Sequence, residues 1–273
     1  MLAFTHRGHC RASLLVGALF LVASAGASRG MTPGAAWAEI LDSKPKRVLK
    51  AADGADAPRE SRLAEGAAWM SLQPSTDENL AQAGRIFAEL AKGDDEIAAQ
   101  AGYLQARLWQ LHHLQPDYER AAQLYEALAE KQPASHWAQL GLVKLGMLKL
   151  YALPGVEDRI AAAEAVLARL AEPERQRDLH LQIGQAGVIL KAPLERILPH
   201  LVAADKIGGV SGTAKEDLVV QIGELAMRAG QPDLAGEYFE RYLRDYPDNL
   251  RAYEVRERLT EVKKQRAHPE GAR

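Results

Sequence analysis

Histidine supplies the first candidates for chemistry, because imidazole ligates metals and moves protons near neutral pH. His112 and His113 are neighbours in the chain. Adjacent side chains on a helix diverge by about 100°, so these two do not readily hold one metal ion. A helical metal pair sits at i and i+4. The sequence has no such pair, and His136, His180 and His200 read as isolated. Gly208-Gly209-Val210-Ser211-Gly212 is rich in glycine. A phosphate cradle needs a strand before it, and none precedes this one, so the loop reads as a connector. The motifs GxxxxGK[ST] and H-E-x-x-H are absent. Glu157-Asp158 and Glu216-Asp217 fall at expected helix starts, where the dipole favours negative charge. Trp37, Trp69, Trp109 and Trp137 could stack on sugars, but in helical repeats tryptophan more often wedges helices apart. The expectation is a protein without catalytic, metal or cofactor chemistry.

Composition points the same way. Of 273 residues, 47% are hydrophobic but only 6% aromatic, with alanine and leucine dominant. Both residues lose little on entering a helix, whereas strands favour β-branched and aromatic side chains. The formal charge is −2, with both signs intermixed, so the field that a nucleic-acid binder needs is missing. Cys10 is the only cysteine, and it lies in an N-terminal segment with the marks of an export signal. Arg7 and Arg11 precede an apolar run, ASLLVGALFLVASAGA, which small residues close at Ala25 or Ala27. The run is short for a spanning helix. Residues 1–27 are therefore expected to be a cleaved signal peptide, with an uncleaved anchor as the alternative. The expected location is the periplasm or the exterior.

Residues 28–58 mix Pro, Gly and small side chains without a sustained period. They read as a linker carrying at most one short helix near Ala36–Leu41. From 59 to 265, helical periodicity is interrupted only by short Pro-, Gly-, Asp- or Asn-bearing breaks, which predicts an all-α domain. Residues 266–273 read as a disordered tail.

Within that domain a unit repeats. Its clearest copy is EDLVVQIGELAMRAGQPDLAGEYFERYLRDYP, with Gly223, Ala235, Phe239 and Pro247 at fixed spacing. The segment PDYERAAQLYEALAEKQP places Ala121, Tyr125 and Pro133 at the same offsets. HWAQLGLVKLGMLKLY opens another copy with Trp137, Leu140 and Gly141, continued by Ala162 or Ala163 and Leu167. Ala83 and Phe87 mark a weaker copy. In the stretch 174–207, Gly184 can serve as the small residue, while Pro193 and Pro199 are expected to interrupt the second helix. Small residues at set intervals let two helices approach closely, with an aromatic ring filling the space beside them.

This pattern resembles the tetratricopeptide repeat family. The resemblance implies a right-handed α-solenoid of about five antiparallel helix pairs, ended by a capping helix over Leu250–Gln265. It also implies a scaffold that grips a protein or peptide in the groove lined by its first helices, with no nucleic acid and no catalysis. By family register the groove positions are Ala138, Leu142 and Leu145 in the third unit and Val220, Glu224 and Met227 in the last. The alternative for these residues is burial under neighbouring helices. The expected role is an exported scaffold for protein–protein interaction in the cell envelope. The alternatives are a membrane-anchored accessory protein of translocation or division, or a glycan-binding helical domain.

Overall fold

Side-chain oxygens mark where the helices begin. The amides of Asn79, Ala98, Arg120 and Ala161 donate to Thr76, Asp95, Asp117 and Asp158, at 3.2, 2.8, 2.9 and 2.9 Å. Each bond satisfies an amide that the first helical turn leaves without a partner. Prolines at the first helical position begin others, as at Pro173 and Pro232. A computed structural model describes residues 31–52 and 56–267. The expected signal peptide, residues 53–55 and residues 268–273 of the expected tail lie outside these. Among the described residues the chain is all-helical.

The helices are α1 (Pro33–Leu41), α2 (Pro45–Lys50), α3 (Arg59–Ser71), α4 (Asp77–Leu90) and α5 (Glu96–Arg107). A π-helical turn, Leu108–His112, extends α5. Then follow α6 (Tyr118–Lys131), α7 (His136–Tyr151), α8 (Arg159–Leu167), α9 (Pro173–Ile189), α10 (Leu194–Ile207), α11 (Gly212–Arg228), α12 (Pro232–Asp245) and α13 (Ala252–Ala267). Each helix from α3 onward packs on the next in sequence. From α3 to α9 the odd-numbered helices also touch one another, α3 on α5, α5 on α7 and α7 on α9.

Small residues sit at close helix crossings. A methyl group on Gly223 would lie 2.5 Å from the Phe239 ring, and one on Gly66 would lie 2.7 Å from Phe87. The ring of Tyr125 lies against Gly141, 3.1 Å from where a Cβ would stand. Ala83, Phe87, Ala121, Tyr125, Ala235 and Phe239 are wholly buried. At the third unit's second helix Ala163, rather than Ala162, takes the buried place. Pro133 and Pro247 stand in the turns after α6 and α12.

Two expectations change. Residues 33–50 form two helices, not a linker: Ala36 and Val48 pack on Ala64 and Ala68 of α3. Periodicity is hard to read in helices of nine and six residues, and Pro33 and Pro45, taken as loop signals, are helix starters. Pro199 does not interrupt α10. Ile197, Leu198, Leu201 and Ala204 are buried around it, and that apolar contact outweighs the one backbone bond proline forfeits. Gly208 and Gly209, with φ of 83° and 80°, form the connector from α10 to α11.

Helix α13 buries Ala252, Val255, Leu259 and Val262 while its other sides are polar. It covers α12 at the C-terminal end of the described chain.

Candidate functional site

Helix α7 occupies the middle of the row of odd-numbered helices. It meets α5 and α9 on its flanks and α6 and α8 behind. Four neighbours leave it one half-buried stripe, exposed only at its Tyr151 end. Leu140, Lys144, Met147 and Tyr151 lie on that stripe, at helical spacing.

The expected groove residues of this helix are elsewhere. Ala138, Leu142 and Leu145 are buried, packed among neighbouring helices. The half-buried stripe lies two residues on from those positions, about half a revolution around the helix. Register counts from a pattern, whereas exposure depends on how many helices crowd α7. In the last unit, Val220, Glu224 and Met227 are half-buried. Val220 and Met227 pack on the C-terminal core, and Glu224 accepts from Arg258 Nε of α13 at 3.1 Å.

Cationic groups from three helices meet at the α7 stripe. Arg107 comes from the end of α5, Lys144 from α7, and Arg175 from the start of α9. Burial pulls the Lys144 ammonium below the usual lysine range, and Arg107 and Arg175 lower it further against the pull of Asp178. Burial likewise lowers His112, helped by Arg107 and His113. Arg177 pairs with Asp178 at 2.7 Å, and Arg175 reaches the same carboxylate at 3.4 Å. Arg175 Nε lies 3.3 Å from Glu172 but outside hydrogen-bond geometry. Arg107 and Lys144 form no ion pair within 4 Å among the described residues. Beside them Tyr103 stands 5.9 Å from Tyr125 and 5.4 Å from Trp137, ring centre to ring centre. Tyr125 donates to Gln110 Oε1 at 2.8 Å, and burial pushes its phenol up.

Gln139, buried on α7, holds the loops at this end. Its Nε2 donates to Pro133 carbonyl at 2.9 Å, and its Oε1 accepts from Ala171 amide at 2.7 Å. The turn before α7 and the turn before α9 are thereby tied together, which sets the spacing of the cationic groups.

Two further polar centres escaped sequence reasoning. His180 and His200 are not isolated: their Nδ1 atoms are 2.8 Å apart across the α9–α10 hairpin. His200 Nε2 lies 3.1 Å from Glu164, which also accepts from Arg196 at 2.8 Å. Twenty residues separate the two histidines in the chain, so no helical spacing announces the pair. Burial, then His200, lowers the His180 imidazole to about 4. Among the described residues no three His, Cys, Asp or Glu side chains converge as a metal site. The other centre is Asp205 of α10, 3% exposed, which accepts from Tyr238 at 2.9 Å, Arg241 at 2.8 Å and Lys215. Burial alone would raise this carboxyl, but the donors Arg241, Lys215 and Tyr238 hold it below the usual range. It ties α10, α11 and α12 together.

Trp109 is enclosed by Arg120, 3.7 Å above its ring, and by His113, stacked at 4.2 Å. Trp37 and Trp69 pack against the N-terminal core. No helix of the described residues is long and apolar enough to cross a membrane. No family model matches the chain, and no curated protein matches it significantly.

Proposed function

We propose that the five helix pairs from α3 to α12 stack as a right-handed solenoid of the tetratricopeptide kind, capped by α13, and that the protein is a scaffold for another polypeptide. The observation that carries this reading is the contact of odd helix with odd helix: α3 on α5, α5 on α7, α7 on α9. Pairs that stack in series keep their first helices side by side, and a side-by-side row presents one continuous face. Leu140, Met147 and Tyr151, with Tyr103 beside them, give that face apolar surface, the material of protein contacts. The leader read in residues 1–27 directs the proposal to the cell envelope, as an assembly or secretion adaptor. A leader retained as an anchor would put the same scaffold at the membrane.

Photo-crosslinking in the native envelope tests it. A photoreactive side chain at Gln185, exposed on α9 in line with Asp178, is expected to capture one defined protein. The same probe at Glu240, exposed on α12, is the control. Capture equal at both positions, or at neither, removes the proposal.

A further inference from the structure

The chain carries more acid than base, 36 Asp and Glu against 34 Lys and Arg, so a local surplus of cations is not inherited from its composition. At the α5–α7–α9 face that surplus exists. Helices α5 and α9 both pack on α7, and there Arg107 of α5, half-buried Lys144 of α7 and Arg175 of α9 gather beside Asp178 and Glu172. Both carboxylates are already engaged by α9 arginines, and Glu172 also meets His136 at 3.3 Å. Elsewhere the fold pairs charges between odd helices: Arg251 of the α12–α13 turn meets Asp217, and Arg258 meets Glu224. At α5 and α7 it brings together like charges instead. Gathering cations in a half-buried place costs free energy unless an anion offsets it.

We infer that the cluster of Arg107, Lys144 and Arg175 is the seat of an acidic polypeptide segment, whose Asp or Glu side chains supply the anions that this face lacks. The inference rests on the scaffold reading and names its partner chemistry. Side-chain carboxylates spaced along a peptide can reach cations on three successive helices, while Tyr103 and Met147 beside them receive apolar side chains between the acids. A nucleic acid fits less well, since its phosphates need a longer basic track than one cluster on an acidic chain.

The test uses the full chain and a fluorescent octaglutamate with acetylated and amidated ends, so that no free terminal carboxylate contributes. Anisotropy is expected to show saturable binding that weakens with added salt. Lys144→Gln is expected to weaken binding about tenfold, and Arg107→Gln with Lys144→Gln to weaken it further. Lys144→Arg keeps the charge and is expected to bind as the parent does. Lys263→Gln, on exposed α13, is expected to change nothing. Thermal melts confirm that each variant is folded. No saturable binding overturns the inference. So does equal binding by the double variant, or tighter binding of an oligothymidylate of equal charge. If the Gln185 probe captures its partner equally well in the double variant, the scaffold reading stands and this inference alone falls.

Discussion

The face carried by α5, α7 and α9 and the face carried by α11 and α13 are built from the same kind of helix, yet they treat charge oppositely. On the C-terminal side, acids of α11 meet bases from α13 and the turn before it, Asp217 with Arg251 and Glu224 with Arg258, and Glu216 accepts from the Asn249 amide at 2.7 Å. The surface is complete within the chain. On the middle face Lys144 has Arg107 and Arg175 for neighbours, and only Asp178 relieves it. Charge complementarity inside a repeat closes it, and its absence leaves a face whose counter-charges must come from outside.

The largest expected effect breaks the closed side. Asp205→Ala leaves Arg241, Lys215 and Tyr238 around an empty place, and is expected to cost about 3 kcal/mol or more in urea unfolding. A loss below about 1 kcal/mol would mean that the C-terminal half does not depend on this centre.

Next come the crossings. Gly223→Ala forces a methyl to within 2.5 Å of Phe239 and is expected to destabilise by about 1–3 kcal/mol. Gly141→Ala meets Tyr125 at 3.1 Å, and alanine's helix propensity returns up to about 1 kcal/mol, so near-neutrality is expected. Equal losses at both sites would contradict the difference in closeness.

The histidine pair lies between the two faces and gives a pH test. The folded value of about 4 for His180 is below the ordinary 6.5. The unfolded chain therefore binds the proton first, so stability is full above pH 6.5 and drains as pH falls towards about 4. His180→Gln is expected to flatten the stability profile in that window. A profile unchanged by the substitution would show that the pair carries none of it.

The smallest effects sharpen the contrast in charge. Arg258→Ala removes a surface pair and is expected to cost about 0.2–1 kcal/mol, less at high salt. Lys144→Met removes a cation from among cations and is expected to leave stability unchanged or raise it by up to about 0.5 kcal/mol. A clear loss at Lys144 would mean that its charge is satisfied within the fold.

Some of this was legible in the chain alone. Alanine–leucine composition and a period near 3.6 determined helices, and Thr76, Asp95, Asp117 and Asp158 marked their starts, because capping depends on residues three positions apart. Gly223 with Phe239, and Ala121 with Tyr125, announced tight crossings, since only small residues admit a neighbouring helix so closely. One hint of the middle face was present too, in Lys144, a charge inside the mostly apolar run HWAQLGLVKLGMLKLY. What lay beyond the sequence depended on which helices meet. Exposure along α7 is decided by its four neighbours, so Ala138, Leu142 and Leu145 went inside while Lys144 stays half-buried. His180 with His200, and Asp205 with Tyr238 and Arg241, are partners separated by many residues, and only the packing of one helix on another brings such groups within bonding distance.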